Sequence, residues 1–269
     1  MIRRLEWRLY FVFAILAFAS LGLVLLSFGP FVAASNNDGL YQYKFSWGFV
    51  PVAKLEIDFS QHESQNLILS RGETLGLSKI IKSYSARVML ELDPSGRSSH
   101  YELSGLDGGS KELRKIKFSY GELPQLIEFK DRTSPLGLEP EAPLDKDSVD
   151  PLSVFAWFFT KQVVENRCVN QFKVFDGKKR FLVQAQIIED ENLLSQEIDQ
   201  ILNCRIIMME NSIQIAEEIA GRQEVNFWPF NKKDQVIDLV IGKVEPEIFY
   251  IKEIKIHSPL GKIIGRLLK

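Results

Sequence analysis

From Leu40 onward, apolar and polar residues alternate with a period of two over most of the chain. "YQYKFSW" sets Tyr41, Tyr43, Phe45 and Trp47 against Gln42, Lys44 and Ser46, and "AKLEIDF" sets Ala53, Leu55, Ile57 and Phe59 against Lys54, Glu56 and Asp58. Successive side chains of a strand point to opposite faces, so each stretch reads as a strand with one dry and one wet face. Gly48 and Pro51 in the link predict a hairpin with a bulged turn. The same pattern predicts strands at 65–71, 86–93, 98–104, 113–120 and 125–130, and later at 195–209, 224–230, 235–244, 247–257 and 262–268. "KVFDGKKRFLVQAQII" reads as a hairpin, with Phe172 to Phe175 leading in, Asp176 and Gly177 forming a two-residue turn, and Arg180 to Ile188 leading out. Residues 76–84 ("GLSKIIKSY") predict a short helix. About ten or more antiparallel strands curl or close on themselves. The fold class predicted is therefore mainly β, a β-rich α+β curved antiparallel sheet or half-open barrel with one or two helices.

Two segments break the alternation. Residues 132–150 ("RTSPLGLEPEAPLDKDSVD") are rich in proline and carboxylate and predict a surface loop or a domain junction. Asp145, Asp147 and Asp150 lack the glycine turn and terminal glutamate of a calcium loop and read as solvated charges. The following "DPLSVFAWFF" predicts a helix running to about Glu165, with Asp150 as N-cap and Pro151 in the first turn. Phe155, Trp157, Phe158 and Phe159 cover its whole circumference, so it must be enclosed on all sides. Either it is a core helix in the concavity of the sheet, or it is a plug that an apolar ligand displaces.

A third segment precedes the strands. Arg3, Arg4 and Arg8 flank a charge-free run from Leu9 to Phe28, which at 1.5 Å per residue makes a helix about 30 Å long, enough to span a bilayer. Gly29 and Pro30 then break it, and Val32-Ala33-Ala34-Ser35 has the small residues of a signal-peptidase site. Residues 1–35 are thus a signal peptide cleaved near Ala34 or a signal anchor spanning 9–28, and both place residues 36–269 outside the cytoplasm as one exported β-rich domain. The domain reaches the membrane through this N-terminal segment.

Export changes the meaning of the two cysteines. In an oxidising compartment Cys168 and Cys204 have one possible pairing, a disulfide. No CxxC motif and no zinc-ligand cluster exists, and His62, His100 and His257 are scattered. The 33 basic and 35 acidic residues exclude the basic surface expected of a nucleic-acid binder. "GLSKI" and "GRSSH" do not form a nucleophile elbow, and "GLDGGSK" lacks phosphate-loop spacing. Lys178, Lys179 and Arg180 beside Asp176 read as a solvated hairpin tip rather than a lipid-headgroup site. No catalytic residue, metal site or cofactor is identified.

"DPLSVFAWF", the first cysteine followed by "VFDGKKRF", "NCRI" and "HSPLGKIIGRL", in this order across residues 40–269, resemble an uncharacterised bacterial envelope family known as domain of unknown function 3108. Lys178 and Lys179 stand where that family has arginines, and Val169 stands where a glycine is expected. The resemblance implies an exported curved sheet or half-barrel, shaped like periplasmic lipoprotein carriers. Three functional readings remain. The first is a noncatalytic envelope protein whose sheet binds an apolar or lipidated ligand, a lipid or a lipoprotein. The second is a structural or assembly protein tethered at the inner membrane with a filled barrel. The third is an unrecognised hydrolase.

Overall fold

The computed structural model describes residues 39–62, 65–81, 83–93, 95–131, 142–143, 145–188, 200–210, 235–245, 248–258 and 261–268. The N-terminal apolar run and the strand expected at 224–230 lie outside the described residues. In chain order the elements are β1 (Gly39–Trp47), β2 (Val50–His62), β3 (Gln65–Thr74), α1 (Gly76–Ile81), β4 (Tyr84–Leu92), β5 (Ser98–Asp107), β6 (Ser110–Lys117) and β7 (Gln125–Asp131). There follow α2 (Pro151–Trp157), α3 (Gln162–Glu165), β8 (Asn170–Phe175), β9 (Arg180–Ile187), β10 (Gln200–Glu210), β11 (Gln235–Glu245), β12 (Ile248–Ser258) and β13 (Gly261–Leu267).

The 13 strands form one antiparallel sheet in the order β7-β6-β5-β4-β3-β2-β1-β13-β12-β11-β10-β9-β8. Every strand lies beside its sequence neighbours except β7 and β8, which are not paired with each other. The first and last strands pair in the middle, with Tyr43 opposite Leu267 and Trp47 opposite Ile263. The break in sequence order falls between β7 and β8, the two edges. Period-two alternation explains the strands: in β4, Tyr84, Ala86, Val88, Leu90 and Leu92 are buried while Arg87 and Met89 face outward or are half-covered. The buried apolar residues of β1 to β6 and β8 to β13 join in one core with α2, and Leu126 of β7 packs against it partly buried.

The sheet curls until its two ends meet. β6 and β8 are eleven strand steps apart, which at about 4.8 Å per step would be over 50 Å on a flat sheet. Yet Arg114 of β6 touches Asp176, the residue after β8, at 2.6 Å. The ladder stays open along this seam, so the sheet is barrel-like without closing. Close approach at the central pairing depends on Gly265: a Cβ there would overlap the ring of Phe45, its cross-strand partner. The buried Phe45 ring fills the space the glycine leaves, and the Tyr43 hydroxyl donates to the Ile251 carbonyl at 2.8 Å.

Alternating strand direction defines two rims. The entry rim carries the start of β1, the β4–β5, β6–β7 and β11–β12 connections, the approach to β8 and the end of β13. The opposite rim carries the β1–β2, β5–β6, β8–β9 and β12–β13 turns together with α1. Helix α1 is held there by Ser78, whose hydroxyl donates to the Val52 carbonyl at 2.7 Å.

Four expectations need correction: Asp150, read as a solvated charge, is 0% exposed because it caps a buried helix, Asp176, read as part of a solvated tip, is 2% exposed because it pairs with Arg114, and two elements differ in form. The helix expected to run unbroken from 150 to 165 is split into α2 and α3. Phe158, Phe159 and Thr160 donate their amides to carbonyls three residues back, and the Thr160 hydroxyl adds a 2.7 Å bond to the Trp157 carbonyl. This tighter winding lets consecutive aromatics be buried on different sides. The β8–β9 connection is a four-residue loop, 176–179, closed by Phe175 opposite Arg180, in place of the two-residue turn at Asp176 and Gly177. Asp176 builds it: its Oδ1 accepts the amides of Lys178 and Lys179, both at 2.7 Å. A side chain that organises its own turn in this way removes the need for the tighter form.

Candidate functional site

The concavity is occupied by the chain itself. Trp157, Phe158 and Phe159 are each 0% exposed, and Phe155 is partly buried against the same core. The Phe159 ring lies 4.8 Å from Tyr41 of β1 and 4.9 Å from Phe59 of β2, and 5.7 Å from Phe155. The Trp157 ring meets Phe172 of β8 edge-on at 5.4 Å, and Phe158 at 5.0 Å. One short segment therefore touches both the middle of the sheet and one of its edges, which only a position inside the curl allows. Each such side chain is worth about 1.5–3 kcal/mol when fully buried. The indole N–H donates to Gln162 Oε1 at 3.2 Å, so the tryptophan is buried without losing its hydrogen bond.

Both ends of the segment are pinned. At the start, Asp150 caps α2 by accepting the Ser153 amide at 2.9 Å. Its other oxygen accepts the hydroxyls of Ser153 and of Ser98 on β5, and those two hydroxyls are 2.7 Å apart. Just before it, Val149 adds a one-residue parallel bridge to β8: its amide donates to the Lys173 carbonyl at 2.9 Å, and Phe175 donates back at 3.1 Å. Lys173 also holds Asp145 at 2.6 Å. At the far end, Cys168 is joined to Cys204 of β10, with Cα atoms 5.7 Å apart and both residues 0% exposed. The turn into that bridge is a Schellman closure, with Arg167 donating to Val164 and Cys168 to Val163. Arg167 takes the left-handed conformation at φ 49°, where glycine is the usual choice.

The seam holds the densest buried polar cluster among the described residues. Arg114 Nη1 donates to Asp176 Oδ2 at 2.6 Å and to the Asp176 carbonyl at 3.3 Å, while Nη2 pairs with Glu112. Arg114, Glu112 and Asp176 are all buried, and Arg114 Nε has no partner. Burial opposes the arginine charge, but Asp176 and Glu112 outweigh it and hold its pKa above the usual range. Gly177, at φ 86°, lets the loop lie on β6, since a Cβ there would come within 3.2 Å of Ile116 and 3.4 Å of Arg114. Tyr101, fully buried nearby, has its phenol pushed well above its usual pKa by burial. Burial likewise raises the Asp150 carboxyl, against the hydrogen bonds from Ser153 and Ser98 that favour its charged form.

These groups have the elements of acid–base chemistry but are arranged for holding. Both Asp150 oxygens are committed to the cap and the two hydroxyls, and both Asp176 oxygens to its turn and to Arg114. On the surface, Arg205 makes a two-pronged contact with Asp238 at 2.8 and 3.0 Å, and His257 Nε2 lies 2.7 Å from the same carboxylate. Despite some burial, these contacts lower the Asp238 pKa. Among the described residues, no group of three or more histidine, cysteine, aspartate or glutamate side chains is placed to hold a metal ion. Nor is any helix among them long and apolar enough to cross a membrane. Sequence reasoning picked out Cys168, Cys204, the aromatics of 155–159, Asp176 and Gly177, but missed Arg114, Glu112 and Ser98.

No family model and no curated protein matches the chain. Among solved structures, a beta-barrel-like protein of domain of unknown function DUF1849 from Brucella abortus is similar at 10% identity over 86% of this chain and 94% of its own, with a TM-score of 0.48. A putative lipoprotein from Parabacteroides distasonis is similar at 9% identity over 90% and 98%, with a TM-score of 0.27.

Two predictions follow from the buried charges. Folding raises the Asp150 pKa, so folding disfavours its ionised form; this contribution to stability is fullest below the ordinary carboxylate range and is lost as pH rises through it to the raised value. Asp150→Asn keeps an acceptor for the Ser153 amide without the charge. Urea unfolding between about pH 3 and 7 should show that acid-side gain removed, whereas Asp150→Ala should cost about 1–2 kcal/mol through the lost cap. Arg114→Met leaves two buried carboxylates uncompensated and should cost about 3–5 kcal/mol in urea unfolding at neutral pH.

Proposed function

We propose that this chain is an exported envelope protein that acts without covalent chemistry, as a barrel-like scaffold whose lumen is filled by its own α2–α3 segment. The observation carrying this reading is the double pinning of that segment, by Asp150 and Ser98 at one end and the Cys168–Cys204 bridge at the other. A ligand entering the lumen would have to displace three fully buried aromatics from a segment that cannot leave. Export is supported by the apolar run 9–28 and by the buried disulfide, a bond that persists in oxidising compartments. Whether residues 1–35 are cleaved near Ala34 or stay as an inner-membrane anchor, the working part is the folded domain and its outer surface. The kinship with domain of unknown function 3108 rests on the motif residues alone.

A lipid or lipoprotein carrier is the second reading. It is favoured by the open ladder between β7 and β8 and by the split between α2 and α3, where a segment could yield.

Native mass spectrometry of the protein purified from its own envelope separates the two. The filled-scaffold reading expects the bare polypeptide mass, reproducibly. A stoichiometric lipid or lipopeptide retained through purification would overturn it in favour of the carrier.

A further inference from the structure

Among the described residues, Trp47, Phe49 and Leu106 are exposed large apolar side chains at or beside the β1–β2 and β5–β6 turns of the opposite rim, Ile127 is one within β7, and the others share the entry rim. Leu40, Tyr120, Leu123, Val169, Val244 and Leu268 all lie on the entry rim or the strand ends that form it. Leu40 at the start of β1 is 58% exposed, Val244 at the end of β11 is 70% exposed, and Tyr120 in the β6–β7 connection is 76% exposed. Leu268 follows β13, its amide donating to the Gln42 carbonyl of β1 at 2.7 Å, so it stands near Leu40. Arg97 lies over the Tyr120 ring at 4.3 Å, its guanidinium paired with Asp93 at 3.1 Å. Isolated exposed apolar residues are ordinary, but several on one rim mark a contact surface.

The chain itself indicates what that surface meets. Residue 39 enters the sheet at this rim, and the apolar run ends at Phe28, so the ten residues 29–38 lie between them. Ten residues reach at most about 35 Å when fully extended and far less when relaxed. With residues 9–28 retained as an anchor, the bilayer that holds them lies next to the entry rim. The opposite rim is about 30 Å further away, the length of a nine-residue strand such as β1.

We propose that the entry rim rests on the bilayer surface, with Leu40, Tyr120, Leu123 and Val244 dipping into the interface. Aromatic and aliphatic side chains gathered on one face are the chemistry that a lipid interface takes up. The opposite rim, with Trp47 and Phe49 on the β1–β2 turn, then faces away from the membrane. This placement rests on the signal-anchor form of the export reading, in which residues 9–28 stay in the bilayer.

The test is hydroxyl-radical footprinting of the full chain in nanodiscs of phosphatidylethanolamine and phosphatidylglycerol. Phe49, 96% exposed, and Tyr120 are both reactive aromatics and serve as internal probes of the two rims. The expected result is several-fold slower labelling of Tyr120 than of Phe49, with Leu40 and Val244 protected as well. Equal labelling, or protection of Phe49 instead, overturns the proposal. Fractionation with intact-mass measurement keeps the premise separate: a chain recovered in the cytosol, or one cleaved near Ala34, removes the anchor, whereas a full-length envelope-bound chain with Phe49 protected removes only the orientation.

Discussion

The structure depends on the burial of three consecutive aromatics, Trp157, Phe158 and Phe159, inside the curl of the sheet. A single-layer antiparallel sheet of 13 strands has two faces, and curling alone leaves the inner one unpacked. The chain supplies the missing layer from the connection between the two edges, β7 and β8. That placement explains the topology. The segment that fills the lumen is also the link that crosses the seam, so rolling the sheet and packing its interior are one event.

The polar groups follow from this geometry. A rolled sheet with an open ladder must hold its edges by side chains, and Arg114 does so by reaching from β6 to Asp176. Burying an arginine between two carboxylates, Glu112 and Asp176, is costly, so such a cluster specifies one register more than it adds stability. The disulfide stabilises in a different way. It joins the end of the lumen segment to β10 and closes a long loop in the unfolded chain, an effect of about 3–4 kcal/mol in the chain-entropy model.

Period-two alternation made most strands legible in the sequence to within a few residues, because one wet and one dry face leave a local trace at Tyr43, Phe45, Ile57 and Phe59. The N-cap at Asp150 was legible too, since Pro151 and the apolar run follow it directly. The seam was not. In "SKELRKIK" the pattern invites Leu113 inward, yet Glu112, Arg114 and Ile116 are the buried positions of β6. What turns them inward is Asp176, 62 residues away, and no window along the chain contains both. The break between α2 and α3 was hidden for a similar reason. Its tight winding answers to Tyr41, Phe59 and Phe172, which surround the segment from three distant strands.

The central claim is that the lumen is a permanent core and not a cavity with a removable plug. Equilibrium urea unfolding of Trp157→Ala, with an apolar fluorescent dye present in the native baseline, tests it most directly. A core residue of this size should cost about 3–5 kcal/mol on truncation, and the native protein should take up no dye. A loss under about 1 kcal/mol, together with dye binding to the folded protein, would contradict the account and show a lumen made to be emptied.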